Sequence, residues 1–108
     1  MLILRDNVKS GALTEVTFFI LLALHQPRHG YAIMQFVEEK TEGRLLLGAG
    51  SLYGALESLN KKGWIAVYGN SDTRKKEYVI TEEGKSVAKR ELERIKSLLD
   101  VASEIMGG

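Results

Sequence analysis

The sequence predicts a mainly α-helical fold with one small β-hairpin and a long C-terminal helix. Apolar residues recur with a helical period in three successive segments of the N-terminal half. Two short β-rich runs separated by a polar loop follow them. The last segment carries a heptad-like apolar stripe. The chain has 108 residues, of which 44% are hydrophobic, and this size suits one compact unit.

The first three helices are predicted over residues 13–25, 30 to about 40, and 48–62. Pro27 ends the first helix, because the residue before a proline avoids helical angles. Gly63 is well placed to end the third helix, while Gly48 and Gly50 are alternative caps for its start. The core-facing stripe of the third helix is Leu52, Ala55, Leu56 and Leu59.

A two-stranded hairpin is predicted next, with strands at residues 64–68 and 77–80. Thr81 is a favourable N-cap for a last helix that runs to about Met106, with Glu82 and Glu83 in its first turn. The stripe of this helix is Ala88, Leu92, Ile95, Leu99, Ala102 and Met106. Three helices, a hairpin and a further helix form the winged helix-turn-helix order.

Composition excludes several kinds of site. The chain has no cysteine, which excludes disulfides, thiolate zinc sites and cysteine nucleophiles. Pro27 separates His25 from His29, so the two histidines cannot share one helical face, and we predict no metal site. No catalytic arrangement or cofactor motif is present, so we expect no enzyme. The longest apolar run, residues 18–24, falls far short of the roughly 20 residues of a membrane span, and we expect a cytoplasmic protein.

The net charge is only +1, with 15 basic and 14 acidic residues, but basic residues concentrate on both sides of the hairpin's first strand. The local cluster consists of Lys61, Lys62, Arg74, Lys75 and Lys76. Such a cluster can bind a polyanion even when the whole chain is nearly neutral.

Three segments resemble the PadR-like family of transcriptional regulators. They are HGYAI at 29–33, GSLY at 50–53 with KGWI at 62–65, and KEYVITEEGK at 76–85. The resemblance covers roughly residues 13–85 and indicates the compact subfamily with a single C-terminal helix. It implies homodimeric transcription factors, mostly repressors, that are often released from DNA by a small molecule.

In this arrangement the third helix enters the major groove and the hairpin meets the phosphate backbone. The expected DNA-binding residues are Tyr31, Ser51, Tyr53, Gly54, Ser58, Lys61, Lys62, Arg74, Lys75 and Lys76. Each has a plainer alternative. The helix face could be merely solvated, Tyr53 could be a half-buried packing residue, and the wing lysines could protect an exposed strand edge.

The last helix is longer than a small three-helix core requires, and its stripe favours a homodimer. The expected interface residues are Phe18, Leu92, Ile95, Leu99, Ala102 and Met106. We therefore expect a winged-helix DNA-binding domain at 1–80 and a dimerisation helix at 81–108. The partners would be a pseudo-palindromic double-stranded operator, a second copy of the chain and a small-molecule effector at the dimer interface. The alternative is a winged-helix module that binds other proteins and not DNA.

Overall fold

The computed structural model describes residues 11–69 and 76–107. Helix α1 spans Glu15–Ala23, α2 Gly30–Lys40, α3 Ala49–Lys62 and α4 Glu82–Met106. Strand β1 spans Arg28–His29, β2 Ile65–Tyr68 and β3 Glu77–Ile80. The predicted class, mainly α with a small winged β element, is confirmed. None of these helices is long and apolar enough to cross a membrane.

Helix α1 is shorter than the predicted 13–25. Thr14 has an extended backbone and its hydroxyl accepts the Thr17 N–H at 3.1 Å, so the helix begins only at Glu15. Leu24 already leaves helical geometry, and its N–H donates to the carbonyl of Ile20. The prediction was wrong by two residues at each end because it followed apolar periodicity and overlooked threonine as a cap.

The bounds of α3 and α4 follow their capping residues. Gly48, not Gly50, is the N-cap of α3, and Gly63 ends that helix in the left-handed conformation at φ 83°. The Thr81 hydroxyl accepts the Gly84 N–H at 3.0 Å and starts α4, as predicted. It also donates to the carbonyl of Gly63 at 2.6 Å. The end of α3 and the start of α4 are thereby held together.

The sheet has three antiparallel strands in the order β1-β3-β2, so the prediction of a two-stranded hairpin was incomplete. Arg28 pairs with Tyr78 and His29 with Glu77 on one edge of β3. A strand of two residues is too short to show a period of two, and its partner lies far along the chain. Strand β2 begins at Ile65, one residue later than predicted.

The core lies between α1, α2, α3 and the inner face of the sheet. Its buried aliphatic side chains include Ile20, Leu21, Leu24, Ile33, Val37, Leu52, Leu56, Leu59 and Ile65. The Ile80 N–H donates to the Leu24 carbonyl at 2.8 Å and ties β3 to α1. Helix α4 buries only Gly84, Val87, Ala88 and Glu91, all in its first three turns. Its remaining turns therefore project beyond the core.

Candidate nucleic-acid interface

Helix α3 has one buried and one exposed face, as its sequence predicts. Leu52, Leu56 and Leu59 are buried. The opposite face exposes Ser51, Gly54, Ser58 and Lys61 to solvent. Three of these side chains are small and the fourth is basic, so little side-chain bulk would keep this face of the helix from entering a DNA groove.

A shallow groove runs along this exposed face. It is lined by Gly54, Glu57, Ser58, Lys61 and Lys62. Two ammonium groups stand against one carboxylate, so the net local charge is positive. Hydroxyls and ammonium groups are ordinary donors to phosphate oxygens and base edges. The carboxylate of Glu57 could accept a hydrogen bond from a cytosine amino group.

Tyr53 joins α3 to the start of α2. A Cβ built on Gly30 would lie 2.8 Å from the Tyr53 Cζ and closer still to its hydroxyl, so the ring rests directly on that glycine. Half of the Tyr53 side chain nevertheless remains exposed, at 51%. Burial raises the pKa of Tyr78, and the adjacent Tyr53 raises it further. Tyr53 thus combines a packing role with an accessible surface between α2, α3 and β3.

The start of α2 is capped by His29, a role that the sequence did not predict. The Nδ1 atom of His29 accepts the Ala32 N–H at 3.3 Å. Tyr31 follows it with an exposed side chain. His25, considered above with His29 as a metal pair, donates from Nδ1 to the Leu21 carbonyl at 2.9 Å. In the described ranges no group of three potential ligands could hold a metal ion.

The wing is the hairpin of β2 and β3 with the loop between them. Of the three basic residues predicted at its tip, the structure describes Lys76. Lys76 is exposed immediately before β3. The predicted contacts Arg74 and Lys75 lie outside the described residues. Lys62, at the last turn of α3, has its ammonium 4.8 Å from the centre of the Trp64 ring, which is a cation–π contact. The structure therefore directs Lys62 toward the base of the wing.

Helix α4 exposes a long apolar strip past the core. It has 25 residues, or roughly 38 Å. The exposed apolar side chains are Leu92, Leu98, Leu99, Val101, Ile105 and Met106, with the last two 77% and 81% exposed. Of the other predicted interface residues, Ile95 and Ala102 are partly buried. Phe18 is partly buried against the core of its own chain.

A buried carboxylate, which the sequence analysis missed, links α4 to the start of α1. Glu91 is only 3% exposed. It accepts hydrogen bonds from Arg94 Nε at 2.9 Å, from a second Arg94 nitrogen at 2.6 Å and from the Leu13 N–H at 3.4 Å. Arg94 holds the pKa of Glu91 below its usual range, against the opposing effect of burial. The available signal was its spacing from Val87 and Ala88, which lie on the core-facing side of α4 four and three residues earlier, respectively.

Comparison with known proteins gives a consistent assignment. The family model described as "Transcriptional regulator PadR-like family" matches residues 20–90. An uncharacterized protein of Lysinibacillus sphaericus is 30% identical over 106 residues, which is 93% of this chain and 95% of that protein.

Solved structures agree with the family match. A transcriptional regulator from Clostridium thermocellum is 26% identical with a TM-score of 0.70, over 94% of this chain and 92% of that one. RosR of H. salinarum is 28% identical with a TM-score of 0.65, over 89% and 96%. A PadR family regulator from Clostridium difficile shares the fold, with a TM-score of 0.72 at 21% identity over 86% and 99%.

Proposed function

Because this chain belongs to the PadR-like family of transcriptional regulators, we propose that it is a homodimeric repressor that binds double-stranded DNA through α3 and the wing. The family consists of regulators and not enzymes, which confirms the expectation of no catalytic activity. Such a protein acts where the chromosome is, so the proposal includes a cytoplasmic location.

The observation that carries the DNA proposal is the exposed face of α3. Ser51, Gly54, Ser58 and Lys61 are all solvent-exposed on a helix whose other side is fixed in the core. Tyr53 lies on the same helix and contacts Gly30, the residue before Tyr31, and both tyrosines are at least half exposed. A helix face of small and basic residues with a single acid, Glu57, is suited to the major groove when a rigid scaffold holds it. The phosphate contacts would come from Lys62 and Lys76, together with Arg74 and Lys75, which lie outside the described residues.

The dimer proposal is supported by the projecting part of α4. Its exposed leucines, isoleucine and methionine form an apolar surface that a second copy could cover, and two-fold dimers are the commonest assembly. Two heads would then bind half-sites about 34 Å apart on a pseudo-palindromic operator. A small-molecule effector bound between the protomers would change the separation of the heads. A difference of a few kcal/mol in its affinity for the two arrangements would release the DNA.

The DNA proposal is tested by fluorescence anisotropy with a mixed-sequence duplex at two salt concentrations. We expect affinity to fall as salt rises, because phosphate binding releases counterions. Ser58→Glu should weaken binding by about tenfold or more, since it places a carboxylate against phosphate. Ser86→Glu makes the same change at an exposed position of α4 and serves as the matched control.

Two outcomes would contradict the proposal. Affinity that is independent of salt would favour the protein-interaction module instead. Equal effects of Ser58→Glu and Ser86→Glu on DNA affinity would show that α3 does not contact the DNA.

Replacing Arg74, Lys75 and Lys76 together with alanine tests the wing. It should reduce the slope of log affinity against log salt concentration by up to about 2.7, at about 0.9 for each lost phosphate contact. An unchanged slope would exclude the wing.

A further inference from the structure

Glu57 is the only acidic residue in α3, and it lies in the middle of the exposed face of that helix. The residues Gly54, Glu57, Ser58 and Lys61 follow the i, i+3, i+4, i+7 spacing of one helical stripe, and all four line the shallow groove. Phosphate groups repel a carboxylate on a helix that approaches them. Glu57 therefore weakens DNA binding unless the DNA offers it a hydrogen-bond donor.

The Glu57 side chain is exposed, and the helix surface in front of it is open. Among residues 11–69 and 76–107 it forms no ion pair, even with Lys61 one turn later. Side chains of an α-helix lean toward its N-terminus, so that of Glu57 extends toward Gly54. A Cβ built on Gly54 would meet nothing within 4 Å outside the helix backbone. A base edge can therefore reach the carboxylate from the N-terminal side, the side that reads bases in helix-turn-helix proteins.

The chemistry of the base edges selects one partner for this carboxylate. An ionised carboxylate accepts hydrogen bonds and donates none. In the major groove guanine and thymine present acceptors, and adenine presents its N6 donor beside the N7 acceptor. Cytosine presents its N4 amino donor with no acceptor beside it on the same base. The Glu57 carboxylate therefore fits cytosine better than any other base.

We propose that Glu57 determines specificity at one base pair of the operator half-site, by accepting a hydrogen bond from the N4 amino group of a cytosine. This role of Glu57 rests on the proposed function and names the base that this position of α3 selects. Lys61 lies about 6 Å further along the helix axis, and Lys62 is the last residue of the helix. Their ammonium groups would contact phosphate and offset the repulsion between phosphate and the carboxylate.

Selection of bound duplexes from a random-sequence library tests the role of Glu57, with wild type, Glu57→Gln and Glu93→Gln compared side by side. Wild type should enrich a cytosine at one position. It should bind that duplex about tenfold more tightly than the same duplex with another base pair there. Glu57→Gln should change this preference to adenine, because glutamine pairs with adenine N6 and N7 through two hydrogen bonds. The other positions of the consensus should stay the same.

Glu93→Gln is the matched control. It makes the same change of charge at an exposed position of α4 that does not line the α3 groove, and it should enrich the wild-type consensus. Both variants should unfold at the wild-type temperature, because each replaced side chain is exposed. A loss of the cytosine preference that is confined to Glu57→Gln supports the contact, whichever base replaces cytosine.

The remaining outcomes separate this role from the proposed function. An unchanged consensus for Glu57→Gln would overturn the base contact and leave the proposed function intact. An affinity that rises by the same factor for every duplex would do likewise, because it would identify Glu57 as a solvated carboxylate repelled by phosphate. Wild type that binds duplexes without enriching any sequence would also overturn the base contact alone. Wild type that binds no duplex in the anisotropy assay would refute the proposed function, and the role of Glu57 would fail with it.

Discussion

Gly84 should be the least replaceable residue at the junction between the wing and α4. A Cβ at this position would lie 2.8 Å from Ile80 Cγ1, 3.0 Å from the Trp64 carbonyl carbon and closer still to the carbonyl oxygen. Carbon atoms normally pack at about 3.5–4.0 Å. The strands would therefore have to move by roughly 0.5–1 Å to accept even alanine.

The cost of Gly84→Ala follows from what must move. The carbonyl of Trp64 is main-chain, so no rotamer change relieves the contact, and the same oxygen accepts the Thr81 N–H at 3.0 Å. Overpacking costs about 1–3 kcal/mol and the weakened hydrogen bond about 0.5–1.5 kcal/mol. Alanine regains up to about 1 kcal/mol of helix propensity. We expect a net loss of roughly 2–3 kcal/mol in the free energy of unfolding.

Thermal and urea denaturation at one fixed protein concentration would measure this loss. For a chain of this size the expected fall in Tm is on the order of 10–20 °C. Gly50→Ala is the matched control. Gly50 also lies in the first turn of a helix, but a Cβ there meets nothing within 4 Å. The Gly50→Ala variant should gain about 0.5–1 kcal/mol in the free energy of unfolding. If Gly84→Ala is as stable as Gly50→Ala, the steric reasoning is refuted.

Three further variants test other contacts. Gly30→Ala should displace the Tyr53 ring, lower stability by about 1 kcal/mol and weaken DNA binding, and unchanged DNA affinity would exclude Tyr53 from the interface. Glu91→Gln should cost about 1–2 kcal/mol at pH 7, measured by urea denaturation. Because folding lowers the pKa of Glu91, the ionised side chain should stabilise the fold above its unfolded pKa of about 4.3, and this stabilisation should disappear as the pH falls through the folded pKa. The stabilities of wild type and Glu91→Gln should therefore converge in acid. A difference that stays constant with pH would contradict this account. Leu99→Glu should yield monomers in sedimentation. Ser97→Glu is the control, because residue 97 is about 200° around the same helix from residue 99, and it should leave the dimer intact. A Leu99→Glu protein that still forms dimers would refute the α4 interface.

The parts of the fold that were predictable have short-range causes. The period of α3 and its end at Gly63 depend on residues in or next to the helix, as does the start of α4 at Thr81. The choice of Gly48 over Gly50 as the N-cap of α3 was left open by the sequence. Strand β1 was not predictable in this way. Its two residues become a strand only because β3, almost fifty positions later, supplies the hydrogen bonds.

The same distinction applies to the candidate site. The exposed face of α3 was predicted because a helix with one apolar stripe must expose the other side. The roles of Lys62 and Glu91 depend on neighbours from other elements, the Trp64 ring and the Leu13 N–H respectively. The sequence placed Lys62 among the expected DNA-binding residues and gave no role to Glu91. Only the assembled fold brings both residues to one cavity.

The junction around Thr81 explains how a change at α4 would reach the DNA. Its hydroxyl bonds both Gly63, which ends α3, and Gly84, in the first turn of α4. The Trp64 carbonyl accepts the Thr81 N–H and lies against Gly84, so these backbones have no room to slide independently. In a dimer formed by α4, the direction of that helix would fix where each α3 is presented. A small rotation of α4 against its partner would therefore carry α3 with it and change the separation of the two heads, and no part of the core would have to unfold.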